Sequence, residues 1–339
     1  MLEGLITKYR ALGIDKQIDY DKFYLYSLIT HSTAIEGSTI TELENQILFD
    51  HGISLKGKSI DEQHMNLDLK QAYEKAIAYA KERKPITTEM LISLAALVMK
   101  NTGKEYQTML GDFSSARGEL RLLNVTAGVG GRSYMNYSKV PTKLAELCVM
   151  LNVERARASK MLIDEQYQLT FDAHYHLVTI HPWADGNGRM ARLLMNMLQF
   201  EFGLIPTKIL NEDKEAYVKA LVATREEENL DIFRTFMFSM MQKNLQNEID
   251  VYLSSVGEVH EDEVLYQKSG VKNIKSREKI IALLSENSKL SAVALAERIG
   301  ISAKAVEKHL SNLKADGIIE RIGPDKGGHW EIIGKNHSF

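Results

Sequence analysis

Between residues 181 and 192 the chain reads HPWADGNGRMAR: one imidazole, one carboxylate, two glycines flanking an asparagine and two guanidiniums in twelve positions. Pro182 cannot continue a helix, so the helical pattern that reaches Ile180 ends there and His181 is presented at a helix end. After Gly188, the apolar residues Met190, Leu193, Leu194, Met197 and Leu198 recur as one face of a new helix. A glycine-rich turn that includes Gly186, Asn187 and Gly188 and opens into a helix N-terminus leaves backbone N–H groups unpaired where the helix dipole is positive. That is a seat for phosphate. Arg189 and Arg192, three apart in the first turn, are expected to face the same anion. Each opposes the helix dipole by about 0.3–1 kcal/mol, which a bound polyphosphate would more than offset. Asp185 adds the carboxylate oxygen that Mg²⁺ favours when phosphates and waters complete its octahedron. His181, with an ordinary pKa of about 6.5, suits a general base at neutral pH. Each feature alone reads as a turn or a structural histidine. Gathered in one loop, they point to phosphate chemistry with a base.

The elements that must position this loop are mostly helical. From Tyr20 to Glu36 the residues Phe23, Leu25, Leu28, Ile29 and Ile35 mark a helix, with Gly37 as its stop. Residues 59 to 83 form a long amphipathic helix ending before Pro85, and 87 to 103 form another, with Thr87 at its start and Gly103 past its end. Residues 111 to 140 break the pattern, and their weak alternation around GVGG (128–131) predicts a β-hairpin with a glycine turn. Helical spacing returns over 142–152 and 164–180, then from Arg189 with turns to about Asn247. Residues 248 to 275 are polar, weakly patterned and read as a connector. Beyond them come helix, helix, a tight turn at Gly300, helix, and two short strands around GPDKGG, the order of a winged helix-turn-helix. The expected fold is therefore mainly α, a helical core carrying a β-hairpin, with a C-terminal winged-helix (α+β) unit.

A chain of 339 residues has room for two or three domains. A net charge of −3 gives no global attraction to nucleic acid or to an anionic membrane. Cys148, the single cysteine, excludes an internal disulfide and is expected to be a buried structural thiol, which suits a reducing, cytoplasmic setting. The N-terminus lacks the apolar run of a signal peptide, and the longest apolar stretch, 90–99, is about half of the ~20 residues that cross a bilayer, so no membrane partner is expected.

The 181–192 stretch resembles the Fic (filamentation induced by cAMP) signature, H-P-F-x-[DE]-G-N-G-R-x-x-R. Every position matches except the phenylalanine, which is Trp183 here. The resemblance implies transfer of AMP from ATP to a Ser, Thr or Tyr hydroxyl of a target protein, with release of pyrophosphate; modification of the chain itself stays open. It makes His181 the base, Asp185 the Mg²⁺ ligand, and Gly186, Asn187 and Gly188 the anion nest. Arg189 would reach the phosphates and Arg192 the γ-phosphate. It also implies a flap at about 121–137, with Val125, Thr126, Arg132 and Tyr134, that docks the target backbone as an added strand. In EAYVKAL, Tyr217 is either a nucleotide-pocket residue or a buried helix tyrosine.

STAIEG (32–37) is similar to the inhibitory motif [ST]-x-x-x-E-[GN] of one class of this family, through Ser32, Glu36 and Gly37. Its implied role is to pair Glu36 with Arg192 and so deny the γ-phosphate its guanidinium. The chain divides into an N-terminal helical region with the inhibitory helix (1–84), a catalytic core (85–247), the connector (248–275) and the winged helix (276–339). The last helix of that unit carries Lys304, Lys308, His309 and Lys314, but 276–335 holds ten Lys/Arg against eight Asp/Glu, a weak basic footprint. DNA and protein contact therefore both stay open, as does the homodimer common in the family. Two alternatives remain: a DNA-binding regulator that uses the Fic unit as a nucleotide sensor, and an enzyme that removes AMP or uses another donor.

Overall fold

The computed structural model describes residues 2–127, 132–260, 270–299, 301–323 and 328–333. Helices run over α1 (Leu2–Ala11), α2 (Tyr20–Ile35), α3 (Glu42–His51), α4 (Ile60–Lys81) and α5 (Thr88–Val98). Two strands follow, β1 (Glu105–Thr108) and β2 (Gly111–Ser114), then α6 (Val140–Arg155), α7 (Ile163–Ile180), α8 (Asn187–Phe202), α9 (Lys214–Glu227) and α10 (Leu230–His260). The chain closes with α11 (Gly270–Glu286), α12 (Ala292–Ile299), α13 (Ala303–Ala315), β3 (Ile319–Ile322) and β4 (His329–Ile332). The described residues fall into two compact units, Met1–Ile40 with Ser59–Ile249, and Thr41–Lys58 with Asp250–Phe339. None of the helices described is long and apolar enough to cross a membrane.

In the larger unit α8 is the central helix, packed against α7 and α4. Every residue from Arg189 to Gln199 on it is buried, so it has no solvent face on which to place its polar side chains. Those side chains pair internally. Asn196 accepts from the Tyr73 hydroxyl (2.7 Å) and donates to the Thr207 carbonyl (3.0 Å), and Gln199 donates to Thr170 and Thr207 (2.9 Å each). A buried polar group left unpaired costs roughly 1–3 kcal/mol, so these bonds fix the rotation of α8 as well as its depth. The helix starts are capped as the sequence suggests: Ser59 and Glu62 form a reciprocal capping box on α4, and Thr87 accepts from the Met90 N–H on α5. In α2, Tyr24 and Tyr26 are buried while Phe23 is exposed, which turns the helix away from the face expected from Phe23. Cys148 is a free, buried thiol.

The regular hairpin lies earlier than expected. β1 and β2 pair antiparallel from Glu105↔Ser114 to Thr108↔Gly111, with Met109 and Leu110 at the turn. Gly111, at φ +123°, takes the backbone conformation that closes so short a turn. At 121–137 the two legs are joined by one bridge, Thr126↔Ser133, with Ala127 N–H to the Arg132 carbonyl and Tyr134 N–H to the Val125 carbonyl. The GVGG turn expected there lies outside the described residues, as do Gly300 and most of the GPDKGG loop.

The segment read as a connector is helical over 248–260, as the end of α10, and over 270–275, as the start of α11. Its apolar residues form no clean amphipathic stripe, yet Gly257, the glycine of α10, does not interrupt a helix already propagating from Leu230. The smaller unit has the winged order α11–α12–α13–β3–β4, with an antiparallel β3–β4 ribbon and a core of Ile280, Leu284, Leu295, Val306, Leu310, Leu313 and Ile319. His309 is buried beside that core rather than standing with the exposed lysines of α13. The same unit takes in α3, whose Leu43, Ile47 and His51 line a crevice with Ile281 and Ala282 of α11.

Leu194 is fully buried at the centre of α8. Leu194→Ala is expected to lower unfolding stability by about 2–5 kcal/mol in a denaturant titration, the cost of a core cavity.

Candidate active site

The site is assembled where α7 stops and α8 starts. Ile180 ends α7 and His181 takes a left-handed backbone conformation (φ 52°), with its N–H bonded to the Leu177 carbonyl. Pro182 and Trp183 are buried behind it, and the Trp183 ring N–H donates to the Gly118 carbonyl (2.8 Å). The larger aromatic in place of phenylalanine is therefore anchored at both its ring and its backbone. Asn187 closes the loop by accepting from the Trp183 N–H (3.0 Å) and donating to the Trp183 carbonyl (2.8 Å). Its side chain is a clasp, so only its backbone is left for an anion nest.

Gly186 sits at φ 80° before the first turn of α8, where a Cβ would come within 2.7 Å of the Met99 sulfur. At Gly188 a Cβ would stand 2.7 Å from Glu36 Oε1 and 3.1 Å from Arg192 Nη1. The cradle thus exists because two side chains are absent, and a carboxylate already lies over it.

That carboxylate belongs to the end of α2. Arg192 is buried (3% exposed) and donates Nε to Ser32 Oγ (2.8 Å), and Nη2 to the Ser32 carbonyl (2.9 Å) and to Glu36 Oε1 (2.6 Å). Burial pushes the Glu36 carboxyl pKa up, but the charge and hydrogen bond of Arg192, with Arg189 and Lys214, outweigh it and hold it below the ordinary range. Burial likewise works against the Arg192 charge, and Glu36 more than restores it. The α2 end is pinned in turn, because Thr33 donates to Asn66 of α4 (2.8 Å) and Asn66 donates to Ser38 (3.1 Å). Gly37 follows at φ 104°.

Arg189 makes its hydrogen bonds away from Glu36, although its charge also acts on that carboxylate. Three residues along a helix turn about 300°, so the two side chains diverge by about 60°. Arg189 leans on α5, donating to the Val98 carbonyl (3.2 Å) and touching the Met99 sulfur (3.1 Å). Its Nε is buried without a partner, and burial lowers its pKa. A buried guanidinium so thinly paired fits a site that receives phosphate. Asp185 is 60% exposed at the mouth of the loop; its Oδ1 accepts from the Gly186 N–H (2.6 Å) and lies 3.9 Å from Arg189. No cluster of three acidic, His or Cys side chains is found among the described residues. The single exposed carboxylate of Asp185 is the kind of oxygen donor that Mg²⁺ would take, together with phosphates and water.

The His181 ring is fixed on two sides. Nδ1 lies 3.2 Å from the Val178 carbonyl. A carbonyl only accepts, so Nδ1 carries the proton and Nε2 presents the lone pair. Tyr134 stacks on the ring, with centroids 3.7 Å apart and planes at 21°. Burial pulls the imidazole pKa down to about 4, against the Val178 hydrogen bond. Of the other flap residues, Val125 and Thr126 form one leg through the pairing above, and Arg132 is exposed.

Two further residues carry weight that sequence pattern did not reveal. Arg121, 1% exposed, donates Nε to the His181 carbonyl (2.7 Å), Nη1 to Leu123 (2.6 Å) and Nη2 to the Met135 carbonyl. It ties the end of α7 to both legs of the flap. His174, fully buried and held neutral by that burial at a pKa of about 3, lies 3.0 Å through Nε2 from the Tyr217 hydroxyl. Burial raises the Tyr217 pKa against the nearby charge of Arg192, so this residue is both a buried helix tyrosine and a neighbour of that guanidinium. An arginine between leucines in GELRLLN was the one available hint for Arg121.

Residues 85–199 match the Fic/DOC family, and residues 275–320 match a winged helix-turn-helix DNA-binding family. The chain is 28% identical over 258 residues to the protein adenylyltransferase Fic of Aedes aegypti, covering 74% of this chain and 47% of that one. To the protein adenylyltransferase fic-1 of Caenorhabditis elegans it is 26% identical over 238 residues, covering 70% of this chain and 42% of that one. It thus spans less than half the length of these curated relatives. A Fic domain-containing signaling protein from Bacteroides thetaiotaomicron has a similar fold, with a TM-score of 0.62 at 22% identity over 78% of this chain and 99% of that one.

A lowered pKa on a base means that the neutral form is favoured. His181 is expected to stay uncharged as pH falls through 6.5 and to take up its proton only near pH 4. Titration of its ring ¹⁵N shifts by NMR checks this, and a midpoint near 6.5 would contradict the closed environment.

Proposed function

We propose, from the premise that residues 85–199 form a Fic domain, that this chain moves AMP from ATP to a hydroxyl side chain of a protein and is restrained by its own Glu36. In the reaction, His181 Nε2 accepts the proton of a Ser, Thr or Tyr hydroxyl while that oxygen attacks the α-phosphorus. The bond from the α-phosphorus to the bridging oxygen breaks, and pyrophosphate leaves. The Gly186–Gly188 backbone and the start of α8 cradle the phosphates, Arg189 adds charge from the α5 side, and Arg192 receives the γ-phosphate, which sets the α-phosphate in line. Mg²⁺, when held by Asp185, would neutralise charge on the α- and β-phosphates and on the leaving group. The flap legs, joined through Thr126 and Ser133, would dock a strand of the target.

The observation that carries this reading is the Glu36 carboxylate, 2.6 Å from Arg192 and directly over Gly188. A negative charge already occupies the position a phosphate would take. Glu36 is about one-third exposed (32%), so it can be displaced, whereas Arg192 at 3% cannot move out to solvent. A hundredfold restraint requires only about 2.7 kcal/mol. One charge-assisted hydrogen bond on a buried guanidinium is of that order, about 1.5–3 kcal/mol.

The winged unit supports a second, accessory role in binding duplex DNA, because Lys304, Lys308 and Lys314 are all exposed on α13 and the family match is to DNA-binding modules. Mg²⁺ dependence and a homodimeric state belong to the same proposal.

After incubation with ATP and Mg²⁺, Glu36→Gly is expected to gain covalent AMP on itself or on added target about a hundredfold faster than the unaltered chain, read by intact mass. Glu36→Gly combined with His181→Ala should gain none. Equal rates with and without Glu36 would remove the restraint from the reading. For the winged unit, a gel shift that weakens with salt and is lost when the three lysines become glutamine is expected; no shift at low salt would remove the DNA role.

A further inference from the structure

We infer that Tyr134 is a positioning residue for the reaction, clamping the plane of the His181 imidazole by stacking on it, with Arg225 over the Tyr134 ring. This rests on the reading of His181 as the base. The geometry is specific: the Tyr134 ring centroid lies 3.7 Å from that of the imidazole, at 21° between planes, and the Arg225 guanidinium lies over the Tyr134 ring, 5.4 Å from its centroid. Arg225 comes from α9, and its buried Nε has no hydrogen-bond partner, so the face of Tyr134 is what it meets.

His181 needs such a clamp. It follows the last residue of α7 in a left-handed conformation, and its side-chain hydrogen bond, Nδ1 to Val178, is 3.2 Å long. Rotation about χ2 would swing the Nε2 lone pair out of the line of attack, and one hydrogen bond at the far edge resists that weakly. A stacked ring resists it across the whole face. Tyr134 is itself held in register, because its N–H donates to Val125 and Arg121 binds the neighbouring Met135 carbonyl together with that of His181. The base and its clamp are thus fixed to one another by a single buried guanidinium.

The stack also shuts water off from the imidazole face. The charged groups around His181 are Arg121, Asp185 of the loop and Glu36 at the end of α2, with Arg225 over the Tyr134 ring. Arg121, Asp185 and Arg225 remain when Tyr134 is changed, and Glu36 is absent from both chains compared, so a difference in titration reports the lost ring.

The test uses the full chain in the Glu36→Gly background. Tyr134→Ala should lower kcat at least tenfold with KM for ATP unchanged, since the phosphate contacts are untouched. The acid limb of its pH–rate profile should move up from near 4 toward 6.5, matched by the His181 ¹⁵N titration. Tyr134→Phe keeps the ring without the hydroxyl and should restore both values, and Arg225→Gln should give a smaller loss of kcat in the same direction. An unchanged kcat in Tyr134→Ala overturns the assignment. So does a Phe variant as slow as Ala, or a His181 titration that ignores the loss of the ring. The NMR readout needs no ATP, so it tests the clamp even if His181→Ala were to retain AMP transfer and sink the proposed reaction.

Discussion

Arg192 is a full positive charge, 3% exposed, standing beside the positive end of α8. Removing such a charge from water costs several kcal/mol, and it persists only when an anion answers it. The rest of the site follows from that requirement. Either the protein supplies the anion from α2, as Glu36 does here, or a ligand must bring one. The two cannot occupy the same place over Gly188, where a single methyl would already collide with the carboxylate. In the proposed reaction, regulation and substrate binding are one exchange of negative charge on a guanidinium that stays put. Ser32 makes that exchange economical, since its hydroxyl and carbonyl keep Arg192 oriented whichever anion is present.

The neighbouring parts are set with the same strictness. Asn187 ties the loop to itself through Trp183, Trp183 ties it to Gly118, and Arg121 ties the end of α7 to the flap. These are all bonds between a side chain and the backbone, so they hold the path of the chain rather than the fit of one ring against another. A loop held in this way keeps its N–H groups pointed inward without the ligand, which reduces the ordering that binding must cost.

Much of the loop was legible because its chemistry is contiguous: twelve residues contain the helix stop, the glycine cradle and the charges. The Glu36–Arg192 pair spans 156 positions, and no periodicity links its ends; only the likeness of STAIEG to a known motif brought them together. The divergence of Arg189 from Arg192 was a matter of helix rotation that spacing alone underestimates. Arg121 and His174 escaped because a buried polar residue among apolar ones leaves the hydrophobic pattern intact. The β1–β2 hairpin escaped for the opposite reason, since Met109 and Leu110 at its tip are not turn formers and the pairing is held by the Tyr106–Phe113 stack (4.7 Å) across the strands. The helical course of 248–260 was hidden by its polarity, because a helix extended from α10 needs no apolar stripe of its own.

The smaller unit is not a simple C-terminal appendage. It includes Thr41–Lys58, so the backbone leaves the larger unit at Ile40, only four residues after Glu36, and re-enters at Ser59. Cutting the chain near residue 250 would divide the smaller unit rather than separate the two. It would leave an excursion of eighteen residues stripped of its companions, with Leu43, Ile47 and His51 deprived of Ile281 and Ala282. Shortened versions of this molecule are therefore poor stand-ins for the intact one, and whatever pulls on the winged module is covalently in line with the helix that bears Glu36.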